Sequence, residues 1–328
     1  MSLTLNVHAE NWPLIEPVRI ARGIYVAMET VTVELSDGHG NVGHGEAMGL
    51  PYEGETQDSM LAQIAEVAPR LSNDTSHADL LELLPAGGAR NAIDCALWDL
   101  RAKQSGHRAW ELAGMAAVSP VRTAYTLGLA SEAVFRRRVR AMRHMPILKI
   151  KANREQHLDS VRWAREEHPT ARLIVDANQS WDRGLLDELV APLAESGVEL
   201  IEQPVPRGQD DSLAGYAGPL PLAADESCTD RASLPRLRGL YQFINIKLDK
   251  SGGLTEALAL ADAATAMGFD LMVGNMGGSS LSMAPHFVVA QRCQYVDLDA
   301  PLLCNSDRPA AMDYEGAVLS APRPALWG

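Results

Sequence analysis

A repeat of about 25 residues most constrains what this chain can fold into. From about residue 120, short apolar runs alternate with helical patterns: PILKIKA, ARLIVDANQ, VELIEQPVP, LPLAADES, YQFINIKLDK, FDLMVGNM and QYVDLDA. Their polar ends fall near 151, 176, 202, 225, 247, 274 and 297, so successive gaps are 25, 26, 23, 22, 27 and 23 residues. A strand, a loop and a helix fill that length, which reads as a βα repeat. Seven or eight such units predict a parallel barrel, with the active site at the C-terminal ends of its strands. An open doubly wound sheet is the alternative. No glycine-rich nucleotide fingerprint follows the first strand to support it.

Before the repeat the rhythm differs. Residues 30 to 47, TVTVELSDGHGNVGHGEA, read as strand, Asp-Gly turn, strand. Residues 56 to 72 and 89 to 105 read as helices. In the second, Ala92, Ile93, Ala96, Leu97 and Leu100 recur at helical spacing, and Gly106 can end the helix. The expected organisation is an α+β capping domain over 1–115 and a barrel over 116–302, with the irregular segment 303–328 packing back on the cap.

Composition narrows the function classes. The 328 residues carry a formal net charge of -13, which argues against nucleic-acid and anionic membrane partners. Cys95, Cys228, Cys293 and Cys304 form no CxxC pair or Cys/His cluster, so zinc and redox motifs are not expected, and a reduced cytoplasmic compartment fits best. No basic segment followed by an apolar run marks a signal peptide at the N-terminus. No apolar run approaches the length of a membrane-spanning helix.

The chemistry lies in the charges at the strand ends. Asp176, Glu202 and Asp225 end three consecutive units. Neighbouring strands lie about 5 Å apart, so three carboxylates at one level converge and repel. A hard divalent cation, Mg²⁺ or Mn²⁺, resolves the repulsion. Each acid taken alone can equally cap a helix or pair with a basic residue. Lys149 and Lys151 lie two apart in LKIKAN, hence on one face of a strand, one unit before the acids. Lys247 lies one unit after them, across a barrel mouth. Two lysines flanking a metal-bound carboxylate can move a proton off and onto the α-carbon from opposite faces. Burial and a nearby cation are expected to lower the lysine pKa towards the working range. A salt bridge to Asp225 or Asp249 is the other reading of Lys247. Lys250 competes with it, but strand alternation puts Lys250 on the opposite face. Asp297 and Asp299 share a face and can hold a cationic group, or form a cap. Arg22 can bind an anionic substrate end if the first section covers the barrel.

These residues carry a resemblance. LPAGGARNAIDCALWDL, LKIK, LIVDAN, LIEQPVP, ADESC, NIKLDKSGGLTEALALA and the terminal DLD match, in order, the pattern of the enolase superfamily's muconate-lactonizing subgroup. Within it the chain is most similar to the L-Ala-D/L-Glu dipeptide epimerases. The resemblance implies a modified (β/α)₇β TIM-type barrel under an N-terminal α+β cap. It implies Mg²⁺ on Asp176, Glu202 and Asp225, with Lys151 and Lys247 as opposed acid/base groups. Lys149 would bind the substrate carboxylate, and Asp297 and Asp299 the dipeptide's amino terminus. Thr126, in TAYTLGL, would touch substrate, and Arg22 would read a glutamate side chain. The apolar Ile24-Tyr25-Val26 loop and the glycine-rich GNMGGSS segment depart from what an acid-reading pocket leads one to expect. Tyr52, in a Gly/Pro-rich loop, is expected to close over the substrate. Two other readings stand beside the epimerase: an o-succinylbenzoate synthase or muconate cycloisomerase, and a non-catalytic metal-binding barrel. Association of copies is left open.

Overall fold

A computed structural model describes residues 3–328. Its first part is a three-stranded antiparallel sheet, β1 (Thr4–Ile20), β2 (Gly23–Ser36) and β3 (Val42–Ala47), in that order. Three helices cover it: α1 (Gln57–Val67), α2 (His77–Leu83) and α3 (Gly88–Ser105). Val31, Val33 and Leu35 alternate along β2 and face Met60, Ile64, Leu80, Ile93 and Leu100 of the helices. Gly45 permits a very close approach of β3 to α3, since a Cβ there would lie 2.1 Å from the Ala92 carbonyl oxygen. Thr56 caps α1 by accepting from the Ser59 amide at 3.1 Å. Gly106, with φ of 72°, ends α3 as the sequence predicts. Helix α2 was not legible in the sequence.

The remainder is a parallel barrel. After the short β4 (Val121–Arg122) come β5 (Tyr125–Leu127), β6 (Ile147–Lys151), β7 (Arg172–Asp176) and β8 (Val198–Glu202). Then follow β9 (Leu222–Ala224), β10 (Phe243–Ile246), β11 (Asp270–Val273) and β12 (Tyr295–Val296). Strands β5 to β12 are hydrogen-bonded in sequence order. The two ends of this sheet meet: the Ala124 amide donates to the Val296 carbonyl at 2.7 Å, and the Leu298 amide to Thr123 Oγ1 at 2.8 Å. Closure disposes of the open-sheet alternative. The tail supplies β13 (Tyr314–Glu315) and β14 (Val318–Leu319), which pair with β4. It also reaches the cap, where Trp327 Nε1 donates to the Cys95 carbonyl at 3.0 Å. All four cysteines are free thiols. No helix among the described residues is long and apolar enough to cross a membrane.

One apolar layer fills the barrel floor. Ala124, Ile147, Ile174, Leu200, Ala223, Phe243, Met272 and Tyr295, one from or beside each strand, pack together there. Side chains two residues further along each strand must point inward at the next level. Those residues are Thr126, Lys149, Asp176, Glu202, Asp225, Asn245, Gly274 and Asp297. The polar site is therefore the barrel layer above an apolar floor.

Candidate active site

Strand register sets the site. Lys151 pairs in register with Asp176, Asp176 with Glu202, and Glu202 with Ala223, two residues before Asp225. Three carboxylates thus stand on adjacent strands at nearly one height. Ammonium groups interleave with them. Lys149, 1% exposed, places Nζ 2.8 Å from Glu202, 3.2 Å from Asp176 and 2.8 Å from Asp297. Lys151 donates to Asp176 at 2.7 Å and Lys247 to Asp225 at 2.7 Å. Lys247 and Asp249 do not form the ion pair considered from sequence. Asp249 instead accepts the Gly49 amide of the cap at 2.8 Å.

Lys250 departs from expectation. Strand β10 ends at Ile246 and the chain turns into the helical segment Leu248–Ser251, so strand alternation stops applying. The Lys250 ammonium is buried behind Asp225. It donates to Asp225 Oδ1 at 2.7 Å and to the Asn245 carbonyl at 2.9 Å. It holds that carboxylate from the side opposite Lys247.

The acids that surround the lysines work against their burial. Burial alone would lower Lys247, but the charges of Asp225, Glu202 and Glu226 together outweigh it and the pKa lies above the ordinary value. Lys149 is raised in the same way, by Asp297, Glu202 and Asp176 against its burial. Burial raises Asp176 as well, yet Lys151 and Lys149 hold it below the usual carboxylate range. Glu202 goes the other way, pushed up to about 8 by burial and then by the Asp176 charge.

The carboxylates suit a hard cation. Among the described residues, no three His, Cys, Asp or Glu side chains stand grouped as a metal site, and Lys149 lies against both Asp176 and Glu202. Glu202 Oε2 makes no hydrogen bond and is compensated only by its ion pair with Lys149 at 2.8 Å. A buried carboxylate oxygen that makes no hydrogen bond and stands beside two more acids is what a divalent ion would relieve. Asp176, Glu202 and Asp225 therefore fit such an ion.

A cavity of about 110 Å³ opens over this layer, lined in part by Thr126, Lys149, Lys151, Lys247, Asp297 and Asp299. Arg22, in the tight turn between β1 and β2, reaches it from the cap. Ile24-Tyr25-Val26, expected as a loop, open strand β2, where only Tyr25 faces the cavity; Ile24 and Val26 are 52% and 66% exposed. Asp297 Oδ2 pairs with Lys149, while Asp297 Oδ1 accepts from Thr126 Oγ1 at 3.4 Å. Asp299 accepts the Thr126 amide at 2.6 Å, and burial, then the Asp297 charge, push it up to about 7. Gly274 leaves room for this set: a Cβ there would meet Asn245 Oδ1 at 2.9 Å and Lys247 Cε at 3.0 Å.

Several residues escaped sequence reasoning. Asn178, Gln179 and Gln203 have φ of 43°, 67° and 36°, left-handed backbone just after Asp176 and Glu202. Asn178 lines the cavity. Gln203 Oε1 accepts the amides of Asp225 and Ser227 at 2.9 and 3.1 Å, which fixes the loop bearing Asp225. Asn245 donates to Glu202 at 2.8 Å. Glu226, 1% exposed, meets Arg22 Nη1 at 2.5 Å. The strand parity that found the acids also reaches Asn245, which sits two residues past Phe243 of the floor.

A closed parallel barrel, an α+β cap and an interleaved acid and lysine layer define the enolase class of architecture. Two families match: the mandelate racemase / muconate lactonizing enzyme N-terminal domain over residues 2–114, and the enolase C-terminal domain-like family over 130–312. The chain belongs to the enolase superfamily, in its mandelate racemase / muconate-lactonizing branch. It is 39% identical to the L-Ala-D/L-Glu epimerase of Escherichia coli (strain K12), over 95% of this chain and 97% of that one. It is 43% identical to an N-acetyl-D-glutamate racemase from Pseudoalteromonas sp over 76% of this chain and 79% of that one. An enolase family member from Agrobacterium tumefaciens, solved with sodium and L-Ala-L-Glu, superposes with a TM-score of 0.96 at 39% identity, covering 99% and 100% of the two chains. A dipeptide epimerase from Methylococcus capsulatus, solved with Mg and L-Arg-D-Lys, gives 0.91 at 31% identity, covering 100% and 99%.

Proposed function

We propose that the chain is a Mg²⁺-dependent epimerase that moves the α-proton of the C-terminal residue of a dipeptide, with L-Ala-D/L-Glu the preferred substrate. Peptides released from murein would be its physiological source. The observation that carries this reading is that Lys151 and Lys247 line one cavity from β6 and from the end of β10. Strands β7, β8 and β9 separate them, so they approach an α-carbon from two sides. One Nζ takes the proton and the other returns one to the opposite face. Asp176, Glu202 and Asp225 would hold the Mg²⁺. Bound there, the ion would supply Lewis-acid stabilisation of the charge that develops as the α-proton leaves. Lys149 offers its ammonium to the substrate carboxylate. Asp297 and Asp299 receive the amino terminus beside Thr126, and Arg22 receives the glutamate side chain. The folding unit that delivers Arg22 is proposed to span 1–115, with 303–328 laid back on it.

A second reading keeps the proton transfer and changes the amino end. Asp297 is occupied by Lys149 and Asp299 by the Thr126 amide, an arrangement that also suits a neutral N-acyl group. The 43%-identical N-acetyl-D-glutamate racemase favours it. Incubation with Mg²⁺ in D₂O, read by mass spectrometry, separates the two. Deuterium entering L-Ala-L-Glu and not N-acetyl-L-Glu supports the dipeptide reading, and the reverse supports the second. Deuterium in neither, with o-succinylbenzoate or muconolactone chemistry present, refutes both.

A further inference from the structure

We infer that Glu226 is a specificity-determining residue, a built-in counter-ion that makes the pocket reading the substrate side chain neutral before substrate arrives. This rests on the proposed epimerase reading and deepens it. Arg22 comes from the tip of the cap hairpin and Glu226 from the loop after β9, 204 residues later. The contact is 2.5 Å, with the Glu226 side chain 1% and the Arg22 side chain 29% exposed. The guanidinium also lies over the Tyr52 ring, 4.9 Å from its centroid, so it is held on a face and at one nitrogen. Among the described residues its remaining N–H donors meet no acceptor, and Arg22 lines the substrate cavity. Glu226 Oε2 is buried and without a hydrogen-bond donor.

The consequence is electrostatic. An arginine alone in a half-buried pocket leaves an uncompensated charge when a neutral side chain enters, which penalises that substrate. With Glu226 in contact, Arg22 stays paired whatever enters. An acidic side chain must then share the guanidinium with a carboxylate that is already there. Glu226 thus lowers the preference for acidic over neutral side chains below what Arg22 alone would set.

Glu226→Gln tests this, since Gln keeps an acceptor for Arg22 and removes only the charge. The ratio of kcat/KM for L-Ala-L-Glu to that for L-Ala-L-Met is expected to rise about tenfold, the size of one charge-assisted contact. An unchanged or falling ratio overturns the inference. A second variant stands independently of that one. Arg22→Gln leaves the Glu226 charge facing the pocket, so turnover of L-Ala-L-Lys should rise about tenfold relative to L-Ala-L-Met. No rise overturns the inference even if Glu226→Gln does not fold. Wild-type exchange into no dipeptide refutes the epimerase reading itself, and the inference falls with it. Wild-type exchange with both ratios unmoved refutes the inference alone.

Discussion

Asp299 accepts the backbone amide of Thr126 at 2.6 Å, tying the end of the last barrel strand to the first. One carboxylate therefore serves barrel closure and faces the cavity. Asp299→Ala leaves a buried amide without an acceptor, which costs about 1–3 kcal/mol. A melting temperature lower by several degrees is the expected result. Asp299→Asn keeps the acceptor and should recover most of that loss. Equal melting of all three proteins would show that the contact does not hold the seam.

Removing either cavity lysine should separate exchange from epimerisation. Lys151→Ala and Lys247→Ala are each expected to lower epimerisation of L-Ala-L-Glu at least about a hundredfold. Each should retain α-deuterium exchange with only one of the two epimers, through the remaining lysine. Full epimerisation by either variant rejects the two-lysine assignment.

Mg²⁺ should stabilise the fold by mass action. At about a hundred times its dissociation constant the ion adds roughly 2.7 kcal/mol. Melting in MgCl₂ is therefore expected above melting in EDTA. Glu202→Gln, which removes one of the three carboxylates, should abolish most of that difference. A Glu202→Gln protein with the wild-type Mg²⁺ shift would remove Glu202 from the set.

Asp249 predicts a pH dependence away from the acids that would hold metal. Burial pushes its carboxyl up to about 7 in the folded protein, above the ordinary value of 3.8. Between those values the folded state holds a proton that the unfolded chain does not. Its effect on stability therefore grows more favourable as pH falls from above 7 towards 4, and the penalty is complete above 7. Asp249→Asn keeps an acceptor for the Gly49 amide and removes the charge. Its stability relative to wild type should be greater at pH 8 than at pH 5 by on the order of 2–3 kcal/mol. Urea unfolding at both pH values measures it, and an equal difference at both counts against a shifted Asp249.

Much of the architecture could be read without coordinates. Alternation along a strand is local, so ILKIK, RLIVD and VELIE show by themselves which residues point inward. The 22- to 27-residue spacing made those strands successive members of one parallel sheet. The floor layer and the acids above it follow from the same two-residue period. Gly106, directly after the last helical residue Ser105, marked a helix end for equally local reasons.

Apart from Lys247 with Asp225, which neighbouring strands already offered, partnership among the charges was not legible, because it depends on closure. Asp297 meets Lys149 across 148 residues, and Thr126 meets Asp299 across 173, only once the first and last strands lie side by side. Lys250 lies behind Asp225 because β10 turns into a helix at Leu248, an event that alternation cannot foresee. Arg22 finds Glu226 only when the cap is seated on the barrel. Sequence by itself determined which side chains face inward and at what height, since the strand period is a property of neighbouring residues. Tertiary structure alone decided the other partners of each lysine, hence the raised Lys247 and the paired Arg22, since charge interactions depend on distance in space.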